Sequence, residues 1–400
     1  MVFLKMKRYK KAFLLLLVTV LFSCTGAPSL RKKETGVPLP ITEKAQPDFL
    51  TIIAAGDNLY HDKMILAGEQ GDYNSVYQEL LSLVERADIA FINQETLLAG
   101  KDFGFSGYPQ FNSPQELGRA ISAAGFNVVN HASNHIMDKG EEAVFATMDF
   151  WDTIPRVTVL GIHRSEEQRS LPKLVTKNNI TVGFLSYTYG TNNIPVPDGK
   201  AHLVSVIDTE IMAEEIDALR PLCDFLVVSM HWGEEYQSSL CENQETLAAF
   251  LAEHLVDLVI GHHPHVIQPI EYIPRPDNRF MLCFYSLGNL ISAQNQNPTL
   301  LGALAYVRIK KRLVSDSKEG DGIVFADAGV IPLVTHYEKE YTGFKVYPLY
   351  AYTGELLEKH WKNQAKKELT MEYLNGLAAK SLGEKEIRFN TFEREEVDSK

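Results

Sequence analysis

Cysteine is scarce in this chain. Its four residues, Cys24, Cys223, Cys241 and Cys283, are too few among 400 for a disulfide scaffold, and no two have the close spacing of a zinc knuckle. With Cys24 set aside as an anchor, an odd number remains. Cys223 and Cys283 read as buried strand residues, and a Cys223–Cys241 bridge stays open. Long apolar runs are missing too. The run Ala12 to Phe22 has 11 residues, short of the ~20 that a spanning helix needs, and no second apolar span or internal repeat follows. Positive charge is in deficit: 39 Lys and Arg face 51 Asp and Glu, a formal net charge of −12. Residues 1–23 hold five of the basic residues (Lys5, Lys7, Arg8, Lys10, Lys11) and no acidic ones, so the rest carries 34 against 51, or −17. A surface that acidic repels phosphate backbones, which argues against nucleic acid as a partner.

What is present begins with an address. A basic start followed by a short apolar stretch reads as a secretory signal over residues 1–23. Leu21-Phe22-Ser23-Cys24 resembles a lipobox, which makes Cys24 the expected lipidation site. An anchor of more than one acyl chain would hold the protein on the membrane. Residues 24–48, with Pro28, Lys32, Lys33, Pro38, Pro40 and Pro47, read as a tether. The expected location is therefore extracytoplasmic, on a membrane-anchored lipoprotein.

From Phe49 the pattern alternates. Phe49–Ala55 is a continuous apolar run, as in a strand buried on both faces. Helical spacing follows over 73–87, a strand over 89–92, and a helix from Ser113-Pro114-Gln115-Glu116 with Ser113 as expected cap. Strands are expected at 126–130, 181–187, 225–230 and 256–260. Helices are expected at 140–151, 208–220 and 244–254. Later segments are mostly strands (280–285, 303–310, 322–332), and the end is helical. Alternating helices and strands argue for an α/β fold.

Polar clusters repeatedly follow the apolar strands. Gly56-Asp57, Asn93-Gln94-Glu95, His131 to His135, His231 to Glu235 and Gly261 to His265 each come directly after one. Ligands of open α/β sheets bind outside the carboxyl ends of strands, so five such clusters are expected to meet in one pocket. Imidazoles mixed with carboxylates suit Mn, Fe or Zn, and a neighbouring Asn or His can stabilise developing charge. Singly, each cluster has a plainer reading: Asn134 reads as well as a helix cap, and Asp57 as a turn residue. His61 stands near enough to Asp57 to reach the site, whereas His163, His202, His254, His336 and His360 read as surface or packing residues.

The order and wording of these stretches resemble the CapA family of bacterial capsule and poly-γ-glutamate synthesis proteins. They include Ala55-Gly56-Asp57, Ala132-Ser133-Asn134-His135 with Asp138, Tyr187 to Asn192, Ser229 to Tyr236, Gly261 to Pro269 and Tyr285 to Asn289. The resemblance implies a four-layer α/β/β/α metallophosphatase-like sandwich, with two mixed sheets flanked by helices. It implies a family domain over 49–340 and a helical extension over 341–400. It puts Asp57, Glu95, Asn134, His231, His262 and His265 at metal-ligand positions, and Asn134, His135, His231, Glu235 and His263 at catalytic ones. Typical metallophosphatases open with Asp-x-His, whereas Leu59 stands two residues beyond Asp57; one divalent ion, two or none remain the alternatives. The family implies work on poly-γ-glutamate or capsule polymer, with its synthesis and export machinery, through a metal-assisted hydrolase or transferase site. An envelope metallophosphoesterase and a non-catalytic polymer-binding subunit are the rivals. A polyanion would need a basic groove, for which Arg275, Arg279, Arg308, Lys310, Lys311 and Arg312 are the candidates if they cluster.

Overall fold

The computed structural model describes residues 49–312, 322–366 and 369–382. The expected signal, the tether and Cys24 lie outside the described residues. Among the described residues no helix is long and apolar enough to cross a membrane.

The chain builds a first sheet, leaves it for a second, and returns. Strands β1 (Phe49–Leu59), β2 (Ile89–Gln94), β3 (Val128–Asn130) and β4 (Thr158–Leu160) run parallel in the first. The second comprises β5 (Lys173–Lys177), β6 (Ile180–Thr188), β7 (Phe225–His231), β8 (Leu258–His262), β9 (Ile270–Pro274) and β10 (Phe280–Phe284), in the order β5-β6-β7-β8-β10-β9. Its edge strands β5 and β9 are antiparallel to a parallel centre. The chain then returns through β11 (Asn289–Ser292), β12 (Leu301–Arg312), β13 (Gly322–Glu338) and β14 (Thr342–Pro348), so that the first sheet reads β14-β13-β12-β1-β2-β3-β4, with β11 also beside β1.

Strand β7 shows why the sheets stack. Phe225 and Val227 belong to the apolar cluster shared with β1, β2 and β12 of the first sheet. The alternate residues Leu226, Val228 and Met230 join a separate cluster with Met212, Ile216, Leu247 and Leu251 from the helices Thr209–Leu219 and Glu242–Glu253. A period of two with both faces apolar places one face on the other sheet and one under helices. On the far side, the helices Asp62–Gln70 and Gln115–Ala123 contribute Met64, Ile65, Leu117 and Ile121 to the cluster of the first sheet. The layers are therefore helix, sheet, sheet, helix, as expected.

Several local expectations are corrected. Residues 73–80 form 3-10 turns, with only Leu81–Val84 α-helical. The Tyr73 hydroxyl is tied to the Ile65 carbonyl and that of Tyr77 to Asn58 Oδ1. Ser113 does not cap its helix, because its hydroxyl is shared with Thr96 and Pro114 occupies the N-cap. Asn134 opens no helix. The expected helical extension starts late: β14 still pairs with β13, and α-helices begin at Gly354. These last helices seat Leu374, Ala378 and Leu382 in the main core. Cys223 precedes β7 and is half-buried rather than a buried strand residue, Cys283 is buried in β10, and Cys223, Cys241 and Cys283 are free thiols, so the Cys223–Cys241 bridge is absent.

Candidate functional site

Register aligns the polar residues at the strand ends. Asp57 of β1 pairs with Asn93 of β2, which pairs with Asn130 of β3. In the second sheet, His231 of β7 pairs with His262 of β8. The carboxyl ends of both sheets thus face one cleft, the place where open parallel sheets bind ligands.

A buried hydrogen-bond ladder joins the sheets. Asn93 Nδ2 donates to Asp57 Oδ1 at 2.8 Å, Asn130 Nδ2 to Asn93 Oδ1 at 2.7 Å, and the Ser186 hydroxyl to Asn130 Oδ1. The second oxygen of Asp57 accepts from the His263 backbone N–H at 3.3 Å and lies 3.0 Å from His265 Nδ1. His262 Nδ1 stands 3.4 Å from Asp57 Oδ1. Burial alone would raise the Asp57 carboxyl, but the imidazoles of His262 and His265 outweigh it and hold the group well below its usual range.

Glu95 contrasts with Asp57. It is fully buried, yet neither carboxylate oxygen has a hydrogen-bond partner. A buried carboxylate left so is costly unless a cation or proton compensates it. Its Oε1 is 3.8 Å from His231 Nε2 and 3.8 Å from His265 Nε2. Burial pushes its pKa well up, and His265 only partly opposes this. His265 responds in kind: burial lowers its pKa, but Glu95 and Asp57 prevail and raise it to about 9. Burial keeps His231 well below 6.5 and His263 down at about 3, so both imidazoles are neutral with lone pairs available.

Three groupings bring ligand atoms within 4.8 Å of one another: Glu95 with His231 and His263, Asp57 with Glu95 and His265, and Glu235 with His263 and His265. The first two share Glu95. Asn134 adds an oxygen beside the first, its Oδ1 lying 2.8 Å from His231 Nε2. The donor set of neutral imidazoles and carboxylates fits Mn, Fe or Zn, and the unpartnered Glu95 oxygens and His231 and His263 Nδ1 atoms are available to a cation. The backbone is unusual here as well. His263, His265 and Tyr236 all have positive φ, 97°, 59° and 64°, a conformation disfavoured for side-chain-bearing residues that recurs at functional sites.

The remaining expected residues divide. His135 Nδ1 lies 2.8 Å from Asp138 Oδ2, which orients the ring. Glu235 stands exposed at the mouth. His262 lies in none of the three groupings; its ring stacks on Phe91 and its Nδ1 stands beside Asp57. His61 packs on Phe111 and accepts from the Ala293 N–H rather than from the cluster. Asn130 and Ser186 join the site though neither stands in a polar cluster of the sequence, and Tyr189 and Asn192 join it from the family-like stretch Tyr187 to Asn192. Asn192 Oδ1 accepts from Asn134 Nδ2 and from the Tyr189 hydroxyl, both at 3.2 Å. Asn130 was legible as the polar end of an apolar strand, whereas Ser186 lies mid-strand and carries no signal. The five basic candidates whose side chains are described form no groove at the site. Arg275 is buried against Asp257 and Asp277, Arg279 shares Asp277, and Lys311 pairs with Asp224. Arg308 and Lys310 lie over the Phe49 ring at the start of β1, the end opposite Asp57, and the Arg312 backbone pairs at that end too.

Residues 51–294 match a family model described as bacterial capsule synthesis protein PGA_cap. The PGA biosynthesis protein CapA of Bacillus subtilis (strain 168) is 25% identical over 279 residues, 68% of this chain and 71% of that protein. The capsule biosynthesis protein CapA of Bacillus anthracis is 25% identical over 324 residues, 76% and 74% of the two chains. Among solved structures, the calcineurin-like phosphoesterase YfkN of Bacillus subtilis matches 82% of this chain and 99% of its own, at 14% identity and a TM-score of 0.43. The NAD nucleotidase NadN of Haemophilus influenzae matches 83% and 66%, at 12% identity and a TM-score of 0.44.

Proposed function

Because this chain belongs to the bacterial capsule synthesis protein family PGA_cap, we propose that it is a metal-dependent hydrolase or transferase of the cell envelope, acting on capsule or poly-γ-glutamate polymer during synthesis, export or attachment. The carrying observation is Glu95, buried with both oxygens unpartnered and common to two ligand groupings. In this reading Glu95 would hold an ion together with His231, His263 and Asn134, or together with Asp57 and His265. A divalent ion bound there would polarise a carbonyl or phosphoryl oxygen and acidify a water. The chain's own residues do the rest. The Asn93–Asn130–Ser186 ladder holds Asp57 in place, and Asn192 holds Asn134. Asp138 accepts the Nδ1 proton of His135, leaving Nε2 to give or take one.

Elemental mass spectrometry on the purified full chain, reconstituted with Mn, Fe or Zn, tests this reading. One to two equivalents are expected per chain, falling at least tenfold in a His231→Ala/His263→Ala variant. No bound metal after reconstitution would end the hydrolase reading and leave the polymer-binding subunit in its place.

The anchor is a second part of the proposal, supported by Leu21-Phe22-Ser23-Cys24 after the short apolar run. The protein is expected in the membrane fraction, and Cys24→Ser is expected to release it or to block processing. Mature protein found free of membranes with Cys24 intact would sink the anchor.

A further inference from the structure

Two further histidines lie buried away from the site. His336 of β13 and His360, between the helices Gly354–Lys359 and Trp361–Lys366, are 2% and 0% exposed, with ring centroids 5.4 Å apart. Both fall beyond the residues that match the family model. Tyr337 lies 4.6 Å from the His360 ring, and Tyr347 and Tyr352 flank His336 at 5.6 and 5.7 Å.

The hydrogen bonds of His360 fix its protonation. Its Nδ1 accepts the Lys362 backbone N–H at 3.1 Å, so the ring caps the second helix. The proton is therefore on Nε2, which donates to the Thr335 carbonyl of β13 at 3.3 Å. The neutral ring thus joins helix to sheet with both nitrogens used. A second proton has only Nδ1 to enter. There it would set one donor against another and place positive charge at a helix N-terminus, the positive end of the peptide dipoles. His336 offers no relief. Its Nδ1 is 2.8 Å from the Tyr352 hydroxyl, and its Nε2 has no hydrogen-bond partner. Lys345 and Lys359 face His336, and Lys362 faces His360. Against them stands Glu338, 4.0 Å from His336 Nε2 with its side chain half exposed. Burial, helped by the lysines, holds both imidazoles down at about 4.

The same pair of helices reaches the mouth of the site. Lys362 Nζ donates to the Asn295 carbonyl and, at 2.6 Å, to Asn297 Oδ1. The adjacent Gln294 donates its Nε2–H to the Tyr236 hydroxyl at 3.3 Å, and the Tyr236 ring lies 6.0 Å from that of His265.

We propose that His360 is an acid-released latch: a proton on its Nδ1 frees both helices from β13 and loosens the rim segment 293–297 that holds Tyr236 at the mouth. The sign follows from the bonding. Once released, His360 is solvated and titrates near its ordinary 6.5, so the attachment is complete above that pH and is lost as pH falls from 6.5 towards about 4. The latch needs no bound ion, so it stands or falls separately from the hydrolase reading.

Amide hydrogen exchange of the metal-free full chain, followed by mass spectrometry and corrected for the intrinsic pH dependence of exchange, is the test. From pH 7 to pH 5 the opening constant of residues 354–366 is expected to rise about tenfold or more, and that of residues 293–297 with it, while β1 and β7 stay protected. His360→Asn keeps an oxygen to cap the Lys362 N–H but has nothing to titrate. Over the same range its exchange at 354–366 should change less than about threefold. No rise in the wild type, or an equal rise in His360→Asn, overturns the proposal. A rise shared equally by β1 and β7 is global unfolding and overturns it too.

Discussion

Glu95→Gln is expected to lose bound metal and to reduce turnover on the polymer by on the order of a thousandfold, equivalent to about 4 kcal/mol of transition-state stabilisation. The size follows from position. Glu95, His263 and His265 each belong to two groupings and Asp57, His231 and Glu235 to one, and neither carboxylate oxygen of Glu95 has a hydrogen-bond partner. The amide is almost isosteric, so packing survives. No hydrogen bond is lost, since the carboxylate makes none. The metal-free variant should therefore melt at or above the temperature of metal-free wild type, relieved of a buried acid whose ionisation is disfavoured. Added ions separate the two proteins. A thousandfold excess of ligand over its dissociation constant stabilises the folded state by about 4 kcal/mol, a gain expected for the wild type and absent from the variant. Differential scanning calorimetry with and without Mn or Zn measures this. Equal metal-dependent shifts in both proteins would falsify the ligand role of Glu95.

Gly56→Ala is expected to destabilise the fold by about 3 kcal/mol or more, although it adds a single methyl group. A Cβ at Gly56 would lie 2.0 Å from the Gly288 carbonyl oxygen, the same oxygen that accepts the Asp57 N–H at 2.9 Å. The obstacle is backbone, which has no rotamer to move into. The two chain segments would have to separate, drawing Asp57 away from His263 and His265. Bound metal should fall with stability. Gly190→Ala is the control, since Gly190 lies in a family-like stretch beside the site but has nothing within 4 Å of its would-be Cβ. It should change stability by no more than about 0.5 kcal/mol. Urea unfolding of both variants is the measurement, and comparable losses would refute the steric account.

Much of this was legible in the chain itself. Continuous apolar runs such as Phe49–Ala55 and Phe225–Met230 determined strands covered on both faces, because no solvated strand tolerates apolar residues at both parities. The polar clusters just beyond them determined which end of each strand carries chemistry, since a sheet that buries its middle leaves only its ends for charge. Asp57, Glu95, His231, His263 and His265 stand in those clusters, and the fold brings them together. Local signals failed where a distant partner outbid them. Ser113 had the features of a cap, but its hydroxyl bonds Thr96. Asn134 resembled a cap, but its oxygen faces His231, 97 positions away. Only the tertiary structure decided that Glu95 serves two groupings, that Ser186 ends a ladder from the other sheet, and that Arg308 and Lys310 lie at the end of β1 opposite Asp57. Each of these depends on distances between residues far apart in sequence, 208 positions for Asp57 and His265. Periodicity reports which face of its own strand a residue takes, whereas the meeting of two strand ends is set by how the sheets stack.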